Sequence, residues 1–216
     1  MTLNKLISIF FLLFYFFLVS CNIFKPVQSF PNNSVYVNYD KVRLTIHSGD
    51  IEYNLKGYIN NRLDTDFCFT FFSSPFGTEV IKGIIGNDIW IYDAFDKTEI
   101  TDMKAKIENL FGVSFVPVCF QYLLLGDIHN FDSILMINNK SIIQISSKYT
   151  RSNQAVRMDF YNTVSKRKLN VRYKWKNNYP SYISITSDDV KNPVNIQFEI
   201  LSISYERKLC NFKVAN

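Results

Sequence analysis

The side chains best able to do chemistry in this chain are four cysteines, two histidines and a few paired carboxylates, and their spacing points away from catalysis. His47 ends an alternating apolar run. His129 sits in the polar stretch Gly-Asp-Ile-His-Asn-Phe-Asp, where Asp127, His129 and Asp132 lie close enough in sequence to hold a cation. A solvated turn accounts for the same three residues. Asp188 and Asp189 read as an exposed turn pair rather than a general acid and base. There is no HExxH, no nucleophile elbow and no Gly-rich phosphate loop. The expectation is a protein that is not an enzyme, with no catalytic residue, no metal site and no cofactor.

Cys21 is different, because its neighbours give it a role. Lys5 opens the chain with a positive charge, and an apolar run follows from Leu6 to Val19, broken only by Ser8. A membrane span needs about 20 apolar residues. This run is shorter and suits the core of a secretory signal. It closes on Leu18-Val19-Ser20-Cys21, which resembles a bacterial lipobox, the signal at which a Cys thiol is acylated and the chain is cut before it. The alternative is a chance Cys behind an ordinary signal or an uncleaved anchor. The division expected is a lipoprotein signal peptide over residues 1–20, a lipidated Pro- and Asn-containing tether over 21–34, and one domain over 35–216.

The other cysteines, Cys68, Cys119 and Cys210, are odd in number and irregularly spaced, so buried free thiols are the default and one bridge stays open. Charge is mild: 24 Lys and Arg, less the Lys5 removed with the signal, against 19 Asp and Glu, leave about +4. The basic residues are scattered apart from residues 166–168 and 172–176, so a nucleic-acid partner is not expected. Twenty Phe and thirteen Tyr with only seven Gly suit a β-rich chain with a large apolar interior.

Period-two alternation predicts that architecture. Val42, Leu44 and Ile46 share a face, as do Ile51, Tyr53, Leu55 and Ile59, and Phe67, Phe69 and Phe71. Runs over 78–85 and 88–92 follow. The period then changes. Met103, Ile107, Leu110 and Phe111 have helical spacing, with Thr101 to cap the start and Gly112 to end it. Residues 118–125 are apolar almost all round, with Gln121 the clearly polar exception, so this helix must be buried or lie on lipid. Strands are predicted again at 133–138, 141–148, 154–162, 168–174, 182–187 and 194–205, with a bulge near Ile200. About eleven antiparallel strands around a helical excursion must curl. We therefore expect a strongly curved, incomplete barrel plugged by helices, with Phe120, Leu123 and Leu124 facing the sheet interior beside Ile107, Phe111, Phe67, Phe69, Phe71 and Trp90.

Three stretches carry a family likeness. "SSPFGTEV" (73–80) is similar to a Pro-Leu-Gly-Ser-Thr turn, "IENLFGVSFVPVCFQYLLLG" (107–126) to a helical segment closed by aromatic-Leu-Leu-Gly, and "YPSYISIT" (179–186) to a Pro-containing hairpin. All three occur in LolB in this order. With the lipobox, the chain resembles the LolA/LolB fold of lipoprotein carriers and acceptors, and the LolB-like lipoproteins of Bacteroidetes. The resemblance implies lipoprotein transport: an acylated (for example palmitate-bearing) protein of the outer membrane, a monomer facing the periplasm, acting as a chaperone for acyl chains. Its partners would be the bilayer, a LolA-like carrier and the carrier's cargo. Asn22 after the acylated Cys, rather than Asp, favours the outer membrane by the enterobacterial sorting rule. The resemblance further implies an acyl-chain cavity lined by Phe67, Phe69, Phe71, Trp90, Ile107, Phe111, Phe120, Leu123 and Leu124. The turn of Pro75, Phe76 and Gly77 would project for membrane insertion, with that role falling on Phe76, which replaces the Leu of LolB; the alternative is that Phe76 folds back to cover the barrel rim. The alternative is a scaffold lipoprotein of the envelope that binds protein partners, with an interior filled by side chains.

Overall fold

The computed structural model describes residues 36–86, 89–100, 105, 119–136, 143–187 and 193–208. Cys21, Ile107, Phe111, Asp188, Asp189 and Cys210 lie outside them, as do the signal, the tether and nearly all of the helix expected over 102–111. Ala105, the one described residue of 101–118, is helical.

Eleven antiparallel strands form one sheet: β1 (Tyr36–Ser48), β2 (Ile51–Arg62), β3 (Asp66–Ser73), β4 (Glu79–Ile85), β5 (Ile89–Asp93), β6 (Thr98–Glu99), β7 (Ile143–Tyr149), β8 (Ala155–Asn162), β9 (Lys168–Lys176), β10 (Tyr179–Ser187) and β11 (Val194–Ser204). Their order is β6-β5-β4-β3-β2-β1-β11-β10-β9-β8-β7, so two meanders are joined where the first strand pairs with the last. The sheet does not close. Two-residue β6 and seven-residue β7 remain as its edges. Between the meanders lie helices α1 (Cys119–Leu125) and α2 (Ile128–Met136).

Apolar rows cross the inner face in register. Tyr53, Ile46, Ile196 and Ile185 are consecutive partners on four strands, and so are Leu55, Leu44, Phe198 and Ile183. A bulge preserves this pattern. Register shifts fall at Asp40 and Lys41 on β1, opposite the step from Ile200 to Ser202 on β11. Ile200 is buried, Leu201 turns outward, and Ile203 packs back against the core. Beyond the bulge, β1 changes phase from Val37 and Tyr39 inward to Val42 and Leu44 inward.

One expected strand is a helix. The run at 133–138 belongs in part to α2, which begins at Ile128, so His129 is on a helix rather than in a polar turn. The Asp127 carboxylate accepts the Asn130 amide at 3.2 Å and caps the first turn. Ile128 and Phe131, three apart, both point into the core. His129 is exposed, and no group of His, Cys, Asp or Glu with metal-holding geometry occurs among the described residues.

Candidate functional site: an apolar hollow under helix α1

Helix α1 is anchored over the concave face by polar groups at both flanks. The Tyr39 hydroxyl, from β1, donates to the Leu124 carbonyl at 2.9 Å, and the Tyr173 hydroxyl, from β9, donates to the Leu123 carbonyl at 2.9 Å. Burial pushes both phenols well above their ordinary pKa, so they stay protonated donors. Gln121, the polar exception on this helix, is fully buried. Its amide nitrogen donates to the carbonyls of Arg62 and Asp66 at 2.9 and 3.1 Å, and its oxygen accepts the Asp64 N–H at 2.8 Å. One side chain thus satisfies three backbone groups of the β2–β3 turn. The Tyr122 hydroxyl adds a bond to the Asp64 carboxylate. The helix ends in a Schellman pair: Gly126 N–H to Leu123 O at 3.2 Å and Asp127 N–H to Tyr122 O at 2.9 Å. Gly126 has φ +71°, and a Cβ there would lie 2.7 Å from the Trp175 ring, so only glycine fits.

Held in this way, the helix does not fill the space beneath it. A hollow of ≈ 410 Å³ remains between α1 and strands β1–β5, β10 and β11. Phe120, Leu123 and Leu124 form its helix side. Phe67, Phe69, Phe71, Ile81, Ile85 and Ile91 form one wall, and Leu44, Ile46, Tyr53, Leu55, Ile59, Ile185, Ile196 and Phe198 the other. Val80 and Asp93 also line it, Asp93 being the one charged group of the lining among the described residues. Gly83 shapes the Phe69 side: a Cβ there would come within 2.8 Å of the Phe69 ring. The volume lies within the range of about 300–1,000 Å³ usual for small-molecule sites. A lining this apolar offers water almost no hydrogen-bonding partners and suits an apolar guest.

Six residues proposed from sequence therefore come together here: Phe67, Phe69, Phe71, Phe120, Leu123 and Leu124. Trp90 does not. Its partner is Ile84, on the face opposite Ile85, Gly83 and Ile91. On that outer face it stacks on Tyr92 at 6.1 Å and donates its indole N–H to Glu99 at 2.7 Å. The inner position of β5 belongs to Ile91, which sequence reading misses. Ile46, Tyr53, Leu55, Ile185, Ile196 and Phe198 are missed as well, although their alternation places them on inner faces. Their pairing across β1 and β11 assembles them. Cys68 also needs correction. It lies on the outer face of β3, buried, and is disulfide-bonded, whereas Cys119 keeps its thiol and is buried, as expected. The disulfide partner of Cys68 is outside the described residues.

The Ser74–Phe76 turn joins β3 to β4 beyond Phe71 and Val80, which line the hollow. Ser73 N–H donates to Thr78 O at 2.8 Å, and Gly77 N–H donates back to Ser73 O at 2.9 Å, closing a tight loop. Phe76 does not fold onto the core; it is 87% exposed.

No family model and no curated protein matches the chain. Solved structures with similarity to it include a DUF1329 family protein from Desulfovibrio piger (9% identity, TM-score 0.47), a LolA superfamily protein from Nitrosomonas europaea (13%, 0.44) and an outer membrane lipoprotein-sorting protein domain from Vibrio parahaemolyticus (6%, 0.46). In each case 83% of this chain and 89% of the other is covered.

Proposed function

We propose that this chain is a lipid-anchored lipoprotein of the outer membrane, facing the periplasm, that binds acyl chains in the hollow and helps receive or insert lipoproteins into the membrane. The observation that carries the reading is an open apolar hollow next to an exposed phenylalanine. A pure scaffold has no need of an unfilled interior, so the space under α1 favours acyl binding over the scaffold alternative. The lipobox-like Leu18 to Cys21 supplies the anchor, and a soluble LolA-like carrier with its cargo is the natural donor. Mass spectrometry of the mature amino terminus should find an acylated Cys21; a chain that starts at Met1, or an unmodified Cys21, would remove the localisation.

Phe76 is proposed to enter the membrane at the transfer step. Moving one Phe into an apolar phase gains about 1.5–3 kcal/mol, too little to anchor a protein but enough to orient one already tethered. Because the side chain touches so little of the fold, Phe76→Glu should leave the melting temperature unchanged while abolishing delivery of a lipoprotein to vesicles. A sharp fall in melting temperature would mean that Phe76 belongs to the core.

A further inference from the structure

The turns at the two ends of the sheet differ in kind. β1 runs towards the Gly49–Asp50 turn and each following strand reverses, so the turns at 49–50, 74–77, 94–97 and 163–167 share one end. Those at 63–65, 150–153 and 177–178 share the other. At the first end Phe76 is 87% exposed, Phe95 82%, Val164 73% and Ile51 55%. At the second the tips carry Asp64, Thr65, Arg151, Ser152, Asn177 and Asn178, with Leu63 packed against the core, and the apolar side chains beside them, Tyr149 at 45% and Val156 at 40%, are less exposed and lie on the strands rather than at the tips. The hollow opens at the first end. Its lining grades from buried Ile59, Phe67 and Ile85 to half-buried Ile46 and Ile196 and then to exposed Tyr53, three residues from the β1–β2 tip.

We propose that this whole end of the sheet docks on a phospholipid bilayer, with Phe95 as a second insertion point beside Phe76 and with Ile51 and Val164 at the same level. As to what the docking is for, the proposal rests on the acyl-binding reading of the hollow. Phe95 is presented by a built turn: the Asp93 carboxylate accepts the backbone N–H groups of Phe95 at 2.9 Å and Asp96 at 3.1 Å. The displayed side chains sit on separate turns, with polar neighbours such as Ser74, Asp96, Lys97 and Lys166 between them. They form no contiguous apolar patch of the kind that a protein partner would cover. Separate points around an open mouth suit a fluid acyl phase, with the polar neighbours at headgroup level. An acyl chain leaving the hollow would then enter the bilayer without crossing water.

The tether permits this orientation. β1 begins at Tyr36, at the far end, and its 13 residues run about 40 Å to the mouth. The fifteen steps from Cys21 to Tyr36 reach about 50 Å when extended. A chain anchored at Cys21 can therefore set its opposite end on the same membrane.

The mature chain, reconstituted in phosphatidylcholine vesicles brominated along the acyl chains, tests the proposal. Phe95→Trp should lose emission to bromine and shift to the blue relative to the wild-type baseline of Trp90 and Trp175. Arg151→Trp, at the other end, should show neither change. An unquenched Phe95→Trp, or an Arg151→Trp quenched equally, overturns end-on docking. Fatty-acid binding by the same proteins, read without vesicles, reports on the hollow alone, so its failure refutes the acyl-binding reading and not the docking geometry.

Discussion

Ile196→Trp should weaken acyl binding by at least about tenfold and leave the fold intact. Ile196 is a half-buried member of the row that crosses β2, β1, β11 and β10, and it faces the hollow. An indole in place of its side chain enters empty space rather than packed neighbours, so the overpacking cost of about 1–3 kcal/mol met in dense cores should be largely avoided. The guest bears the loss instead. Each methylene excluded from the hollow forfeits about 0.8 kcal/mol, so displacing two or more weakens binding by at least about tenfold. Calorimetric titration with a fatty acid, run beside thermal melts, separates the two effects. A filled hollow that still bound acyl chains as tightly would place the guest elsewhere.

Leu124→Asp should unfold the domain or lower its melting temperature by about 10 °C or more. Leu124 is 5% exposed, lines the hollow, and lies on the turn of α1 whose carbonyl accepts the Tyr39 hydroxyl. Truncating a buried Leu costs about 2–5 kcal/mol, and placing a carboxylate where nothing pairs with it adds a further desolvation penalty. For a domain of this size each kcal/mol moves the melting temperature by about 2–4 °C. Leu124→Met, similar in volume and apolar, should melt close to wild type. If Leu124→Asp melted like wild type, α1 would not be packed on the sheet as described. The pair of substitutions also separates the two uses of the same apolar surface, since Ile196 borders empty space while Leu124 secures the helix beside it.

Much of this is legible in the sequence, for physical reasons that also explain the misses. Strict alternation in Phe67, Phe69 and Phe71 leaves one choice of inner face, because the side-chain period of a strand is two. β5 offers no such choice: Ile89, Trp90, Ile91 and Tyr92 are apolar on both faces, and the phase is set by the pairing of Ile91 with Gly83. An inward Trp90 is as consistent with that run as an outward one, and the ladder puts it outward. The strand expected at 133–138 fails in a similar way. A short apolar run fits a buried strand or a buried helix, and the deciding signal is the Asp127 cap with Ile128 and Phe131 three apart. Gln121 is visible as an anomaly on an apolar helix, but its partners at Arg62, Asp64 and Asp66 are nearly sixty residues away. The joining of β1 to β11 is more distant still and leaves no local trace. That pairing brings Ile46 and Ile196 to one wall, so the wall of the hollow opposite the phenylalanines is the part hidden from sequence.

The most direct test of the account is titration of the wild-type protein with a diacylated lipopeptide. Saturable binding is expected at one lipopeptide per chain, competed by free fatty acid and weakened at least about tenfold in Ile196→Trp. Absence of saturable binding, or binding that Ile196→Trp leaves unchanged, would contradict the claim that the space under α1 is an acyl-chain site.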